Sequence, residues 1–136
     1  MNDCLFCKII AGDIPCTKVY EDDTVLAFLD IHPVNIGHTL VIPKTHYVNI
    51  YDIPEELVAK MAIASKRVAV SIKKGISPDG INIVSNNDKG AHPQILHSHM
   101  HIIPRWLNDG FKEWIGARGY NEGEMTEVAE KIKISL

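Results

Sequence analysis

Three of the chain's seven histidines stand at alternate positions in His97-Ser98-His99-Met100-His101, and the apolar pair Ile102-Ile103 and Pro104 follow. Imidazole titrates near pH 6.5 and can serve as nucleophile, base or acid close to neutrality. Alternation is the pattern of an extended strand, which predicts that His97, His99 and His101 project from one face of a strand beginning near Ile95. The plainer reading is a solvated strand face that happens to be histidine-rich, although Thr, Lys or Glu is commoner there. At ~3.3 Å per residue the backbones of His97 and His101 stand ~13 Å apart, too far for three rings to converge on one zinc ion at Zn–N distances of ~2.0–2.1 Å. The row suits a relay along an elongated substrate, with His99 as nucleophile and its neighbours orienting it or moving protons. Attack by nitrogen on phosphorus would give a phosphoramidate that water later cleaves, and His101 could donate to the leaving group. One nitrogen of His99 must then offer a lone pair while an acceptor such as a backbone carbonyl keeps the other protonated.

Cys4-x-x-Cys7 is a second chemical signal, a zinc half-site by spacing. A redox pair would sit between a strand and a helix of an α/β unit, and only three residues precede Cys4 in this sequence, so zinc is favoured over redox use or inert thiols. Cys16 has no partner spacing and reads as a small buried side chain. Three cysteines, an odd count, argue against a disulfide scaffold.

The elements that must position these groups follow from periodicity. A short helical turn around Phe6-Ala11 ends at Asp13-Ile14-Pro15, and residues 18–21 and 25–30 flank Asp22-Asp23-Thr24 as a hairpin. Gly37 opens a third strand, His38-Pro43. From Pro54 to about Lys74, Leu57, Met61, Ala64, Val68 and Ile72 recur at steps of three and four, the stripe of a helix that Asp52 can help cap and Gly75 ends. Ser77-Pro78-Asp79-Gly80 turns the chain into a strand at residues 81–85, the polar stretch 86–94 follows, and the histidine strand comes next. Five strands with short connections favour antiparallel pairing, and one long helix must cover a sheet face, so the expected class is α+β. In the tail, Trp106, Phe111 and Trp114 are either core plugs or contacts for a second subunit, and Met125, Val128, Ala129 and Ile132 mark a modest helix.

At 136 residues with 46% hydrophobic content, one unit with a true core is expected. A net charge of −3 leaves no cationic excess for a nucleic-acid backbone. No leader and no apolar run of ~20 residues is visible, so a soluble cytoplasmic protein without membrane association is expected.

Taken together, His97-Ile103, Phe28-Leu29-Asp30-Ile31 and Gly37-His38-Thr39-Leu40-Val41-Ile42-Pro43-Lys44-Thr45-His46 resemble the histidine triad (HIT) family over most of the chain, in the manner of a bacterial Hint-like member. The resemblance implies a single HIT domain over residues 1–136, with an N-terminal segment at 1–17 that holds the Cys-x-x-Cys and a tail at 104–136. It implies a homodimer whose antiparallel sheet runs across both subunits, and a purine nucleotide substrate. By the same resemblance the catalytic set is His99 as nucleophile on the α-phosphorus, with His101, His97 and His38 around it. Nucleotide contacts would come from Asp30, Ile31, Asn86, Gln94, His99 and His101, with the Asp30 carboxylate accepting from ribose hydroxyls. Similarity to bacterial HIT proteins and to hexose-phosphate uridylyltransferases implies a structural Zn2+ held by Cys4, Cys7, His46 and His97, with chemistry that needs no metal. The implied activity is hydrolysis of nucleoside phosphoramidates or related nucleotidyl conjugates. Alternatives are a dinucleoside polyphosphate hydrolase, a nucleotide-binding regulator with little turnover, and a hydrolase using the histidines as metal ligands.

Two features depart from the family pattern. Ser98 stands where an apolar residue is usual, on a side expected to face the core, so its hydroxyl needs a partner. His92 and Pro93 replace part of a Gly-Gln-small phosphate segment, and Pro93 has no N–H to offer.

Overall fold

A computed structural model describes residues 3–112, 116 and 118–136 of the chain. The elements are α1 (Leu5–Ala11), β1 (Lys18–Glu21), β2 (Val25–Leu29), β3 (Thr39–Pro43), α2 (Glu55–Ile76), β4 (Gly80–Val84), β5 (Met100–Arg105) and α3 (Glu124–Lys133). The strands form one sheet in the order β1-β2-β3-β5-β4, every neighbouring pair antiparallel. The class is α+β with one main helix, as the periodicities require.

Both β2 and β3 are buried nearly throughout, because alternate side chains serve two apolar layers. Val25, Ala27, Val41 and Ile102 pack under Met61, Ala64 and Val68 of α2, with Leu57 and Ile72 at the edge of the same stripe. Leu26, Phe28, Leu40 and Ile42 pack on the opposite face against Phe6 and Ile9 of α1. The short N-terminal helix therefore closes the second layer, and Cys16 packs at its margin, half-buried. Met61 is 1% exposed, and cutting such a side chain back to Ala costs about 2–5 kcal/mol.

The ends of α2 differ from expectation. Pro54 is the N-cap, with Glu55 and Glu56 in the positive first turn. The Asp52 carboxylate is engaged by the N–H groups of Val48 and Asn49, both at 3.0 Å, and caps a preceding turn instead. The helix runs through Gly75 to Ile76 and ends at Ser77, which takes the left-handed conformation at φ 52°.

The larger correction concerns the histidine strand. Regular pairing of β5 with β3 covers Val41↔Met100, Leu40↔His101 and Thr39↔Ile102, and the strand begins at Met100. The pairing stops at Val41↔Met100 although β3 continues to Pro43, and His97, Ser98 and His99 lie outside the regular strand. Ser98 is buried, and its N–H donates to the Tyr47 carbonyl at 2.6 Å.

In the tail, Trp106 is half-buried, whereas Phe111 is exposed and lies under the Arg105 guanidinium, 4.7 Å from ring centre to Cζ, so it does not plug the core. Trp114 lies outside the described residues. The helix expected around Met125 and Ile132 forms as α3 and buries no residue. Among the described residues no helix is long and apolar enough to cross a membrane.

Candidate functional site

The four triad-region histidines gather on the α1 face of the sheet, the face that Leu40 and its register partner His101 share. Phe6 of α1 sets two rings edge-on, its centroid 5.7 Å from His97 and 5.3 Å from His99. The His99 and His101 rings are 4.8 Å apart. His97 has turned away from this pair toward the N-terminal segment, so the alternate spacing yields two environments rather than one row.

Fixed backbone groups decide which nitrogen of each ring carries its proton. His99 Nδ1 lies 2.7 Å from the His97 carbonyl oxygen. A carbonyl only accepts, so Nδ1–H donates and Nε2 keeps its lone pair. His97 Nε2 lies 2.9 Å from the Pro43 carbonyl and must likewise donate, leaving the lone pair on Nδ1. His38 has the same tautomer as His97: the Val34 N–H donates to Nδ1 at 3.0 Å, so the proton sits on Nε2. His38 Nε2–H then donates to His101 Nδ1 at 2.9 Å, which leaves His101 with a donor Nε2–H. A nucleophilic nitrogen therefore stands beside a hydrogen-bond donor, an arrangement suited to attack on phosphorus.

Every one of these rings is shifted toward the neutral form. Burial lowers His38, with the Asp30 charge opposing it. Burial lowers His97, against the Pro43 carbonyl, and lowers His99, against the His97 carbonyl. His101 is pushed down to about 4 by burial first and then by the charges of His99 and His38. Neutral imidazoles keep the tautomers just assigned at pH 7.

Cys4, Cys7, His46 and His97 form the second environment, their ligand atoms all within 4.8 Å of one another. The His97 lone pair on Nδ1 faces Cys4 Sγ at 3.4 Å and Cys7 Sγ at 3.7 Å, and His46 Nδ1 lies 3.4 Å from Cys7 Sγ and 3.2 Å from His97 Nδ1. A tetrahedron with Zn–S of ~2.3 Å and Zn–N of ~2.05 Å has S–N edges of roughly 3.6 Å and an N–N edge of roughly 3.3 Å. The donor set fits a zinc ion in type and spacing. Burial, with the Cys4 hydrogen bond and charge next, raises the Cys7 thiol, and a dication would reverse that cost. Asp30, His38 and His101 also lie close together, but the His38 Nε2 proton points at His101 Nδ1, so this group is a hydrogen-bond relay.

The residues expected on the nucleotide side are more scattered in their contacts. Asp30 Oδ2 stands 3.8 Å from His38 Nε2, and Oδ1 accepts the His32 N–H at 2.9 Å. Ile31 is 85% exposed, leaving its apolar surface open to a ligand. Asn86 is half-buried and Gln94 exposed. The intervening loop is tied by Asn87 Oδ1, which accepts the Ile50 N–H at 2.8 Å, and it carries two non-glycine residues at positive φ, Asp88 at 65° and His92 at 54°. Sequence reasoning did not single out Phe6, Val34, Asn35 or the Pro43 carbonyl. Only Pro33-Val34-Asn35-Ile36-Gly37, with its turn composition, carried a local signal. A surface cavity of about 370 Å³ lined by Tyr20, Asp22, Lys60 and Arg67 among others holds none of the histidines.

The HIT domain family model matches residues 11–107. The chain is 44% identical over 135 residues to an adenosine 5'-monophosphoramidase of Schizosaccharomyces pombe, covering 98% of each protein. A crystal structure of a HIT family member from Bacillus subtilis superposes with a TM-score of 0.92 at 44% identity, over 98% of this chain and 97% of that one. A Zn-bound histidine triad family protein from Mycobacterium smegmatis superposes with a TM-score of 0.78 at 36% identity, over 99% of each chain.

Proposed function

The chain belongs to the HIT domain family, and from that premise we propose that it hydrolyses purine nucleoside phosphoramidates or related nucleotidyl conjugates through a covalent His99-nucleotidyl intermediate. The observation that carries this reading is the 2.7 Å bond from His99 Nδ1–H to the His97 carbonyl, which leaves Nε2 unprotonated for attack. His99 Nε2 bonds to the α-phosphorus as the phosphorus–nitrogen bond breaks, and the leaving nitrogen takes a proton. Water then cleaves the new phosphorus–nitrogen bond and frees the nucleoside monophosphate and His99. His101, with its Nε2–H directed by His38, hydrogen-bonds the phosphate or the leaving group. The negative charge of the arriving phosphate raises the His101 pKa and so favours this donor. Asp30 receives the ribose hydroxyls, Ile31 lies along the purine, and Asn86 and Gln94 reach the phosphate from the loop before the triad.

Cys4, Cys7, His46 and His97 hold a structural Zn2+ that joins α1 to the triad segment, a role supported by the tetrahedral spacing and by the zinc-bound relative. The chemistry itself needs no metal. In a homodimer the sheet continues into a second copy, and β1 and β4 are its two open edges. A single domain working in the cytoplasm, with no nucleic acid or membrane partner, completes the reading.

Rapid-quench mass spectrometry with adenosine 5'-phosphoramidate tests the mechanism. The expected result is one adenylyl group on His99 before steady turnover. Product formation with no adduct, in a variant whose hydrolysis step is slowed, would remove the covalent step. Faster turnover of diadenosine polyphosphates would shift the substrate class, and tight nucleotide binding without any turnover would make the protein a regulator.

A further inference from the structure

The loop at residues 30–38 carries Asp30, Ile31 and His38, and the Asn35 side chain fastens it to β5 and the segment after it. Asn35 Nδ2 donates to the Pro104 carbonyl at 2.9 Å and to Asp109 Oδ2 at 2.8 Å. The Asn35 carbonyl in turn accepts the His38 N–H at 3.1 Å. Its neighbour Val34 supplies the N–H that meets His38 Nδ1 at 3.0 Å.

The anchor is itself held by several hydrogen bonds. The Asp109 side chain is 9% exposed and also accepts from Arg105 Nη2 at 2.8 Å, from the Trp106 N–H at 3.0 Å and from the Phe111 N–H at 3.0 Å. The loop also lies close against its support. Gly37 sits at φ +88°, and a Cβ there would come within 3.2 Å of Pro104 Cγ.

We propose that Asn35 is a positioning residue: the Asn35–Asp109 clamp holds the Val34 N–H on His38 Nδ1 and thereby sets the tautomers of His38 and His101. The reason is a chain of exclusions. With the Val34 N–H in place, a His38 proton on Nδ1 would face another donor, so it must sit on Nε2. His38 Nε2–H requires a lone pair on His101 Nδ1, and the remaining His101 proton must then sit on Nε2. Release of the loop removes the first exclusion, both rings then share two tautomers, and His101 loses its donor for part of the population. This inference rests on the proposed role of His101 only for its catalytic consequence, since the tautomers exist without substrate.

The test is 15N NMR of the ring nitrogens near pH 7.5 on the free protein and its Asn35→Ala variant, beside kinetics with adenosine 5'-phosphoramidate. In the wild type, His38 shows an unprotonated Nδ1 and a protonated Nε2, and in Asn35→Ala it shows a tautomer mixture while His99 is unchanged. The kcat falls about tenfold to a hundredfold, with KM changed far less. A folded Asn35→Ala protein with His38 in its original tautomer overturns the proposal, whatever its activity. Should that variant fail to fold, Asp109→Asn weakens the same clamp with little change of shape, and the same two readings apply. If the wild type turns over no phosphoramidate, the functional reading fails, and the NMR comparison still decides the clamp.

Discussion

The carbonyl oxygen of His97 lies 2.7 Å from His99 Nδ1, while the His97 ring turns the other way, its Nδ1 3.4 Å from Cys4 Sγ. One residue thus holds the His99 ring through its main chain and joins the thiol cluster through its side chain.

That division separates two substitutions at neighbouring triad positions. In His99→Ala the nitrogen proposed to attack is gone, and kcat with adenosine 5'-phosphoramidate is expected to fall by roughly 10⁴-fold or more while nucleotide binding persists. In His97→Ala the carbonyl remains, so turnover measured well below the melting temperature stays far above that floor although the protein melts earlier. Equal losses of kcat in the two variants would contradict the division.

Zinc analysis and chelation test the proposed site at Cys4, Cys7, His46 and His97. Protein purified without chelator should contain about one zinc per chain by elemental analysis. Exhaustive chelation or Cys7→Ser lowers the melting temperature, by about 8 °C for a binding contribution of about 2 kcal/mol. Turnover per folded molecule is retained. Absence of zinc, or an unchanged melting temperature after its removal, speaks against the site.

Acid sensitivity follows from His101. Its pKa is about 4 in the folded protein, lowered by burial and by the His99 and His38 charges, against about 6.5 in the unfolded chain. Between those values the unfolded chain binds a proton that the native state refuses, so stability rises with pH across this window and is lost as the pH falls from about 6.5 toward 4. His101→Gln has no such proton, and its stability declines less steeply over the same range. Denaturant titrations of both proteins at several pH values read the difference, and parallel curves would exclude a depressed His101.

Gly37 is predicted to resist replacement. At φ +88° a non-glycine residue is strained, and an added Cβ would lie 2.5 Å from Ile76 Cδ1. The side-chain tip can move, but the backbone strain remains, so Gly37→Ala costs about 1–3 kcal/mol. Trimming Ile76 in the same protein recovers only the steric part. Urea unfolding that finds Gly37→Ala as stable as the wild type would refute the assignment.

The fold was largely legible because its signals are local. Leu57, Met61, Ala64, Val68 and Ile72 mark α2 by their spacing alone, and the strands announce themselves as short apolar runs between turns. Boundaries were less legible, since Asp52 had a closer pair of N–H groups than the helix start and Gly75 could be helical as readily as terminal. Pairing with β3 stops at Val41↔Met100, and His97 with His99 lie outside the strand that their alternation suggested.

By itself, the sequence determined that imidazoles would cluster ahead of an apolar strand, that Cys4 and Cys7 were spaced as a half-site, and that the chain would form an antiparallel sheet under one long helix. Residue type and short-range period specify these features, because they depend on the conformation of a few adjacent residues. Only the tertiary structure decided which nitrogen of each histidine holds a proton and which residues 39 to 93 positions away meet Cys4 and Cys7. Those outcomes depend on carbonyls of Pro43 and His97, an N–H of Val34 and the clamp at Asn35, backbone and amide groups whose directions exist only once the strands have paired and the loops between them have closed.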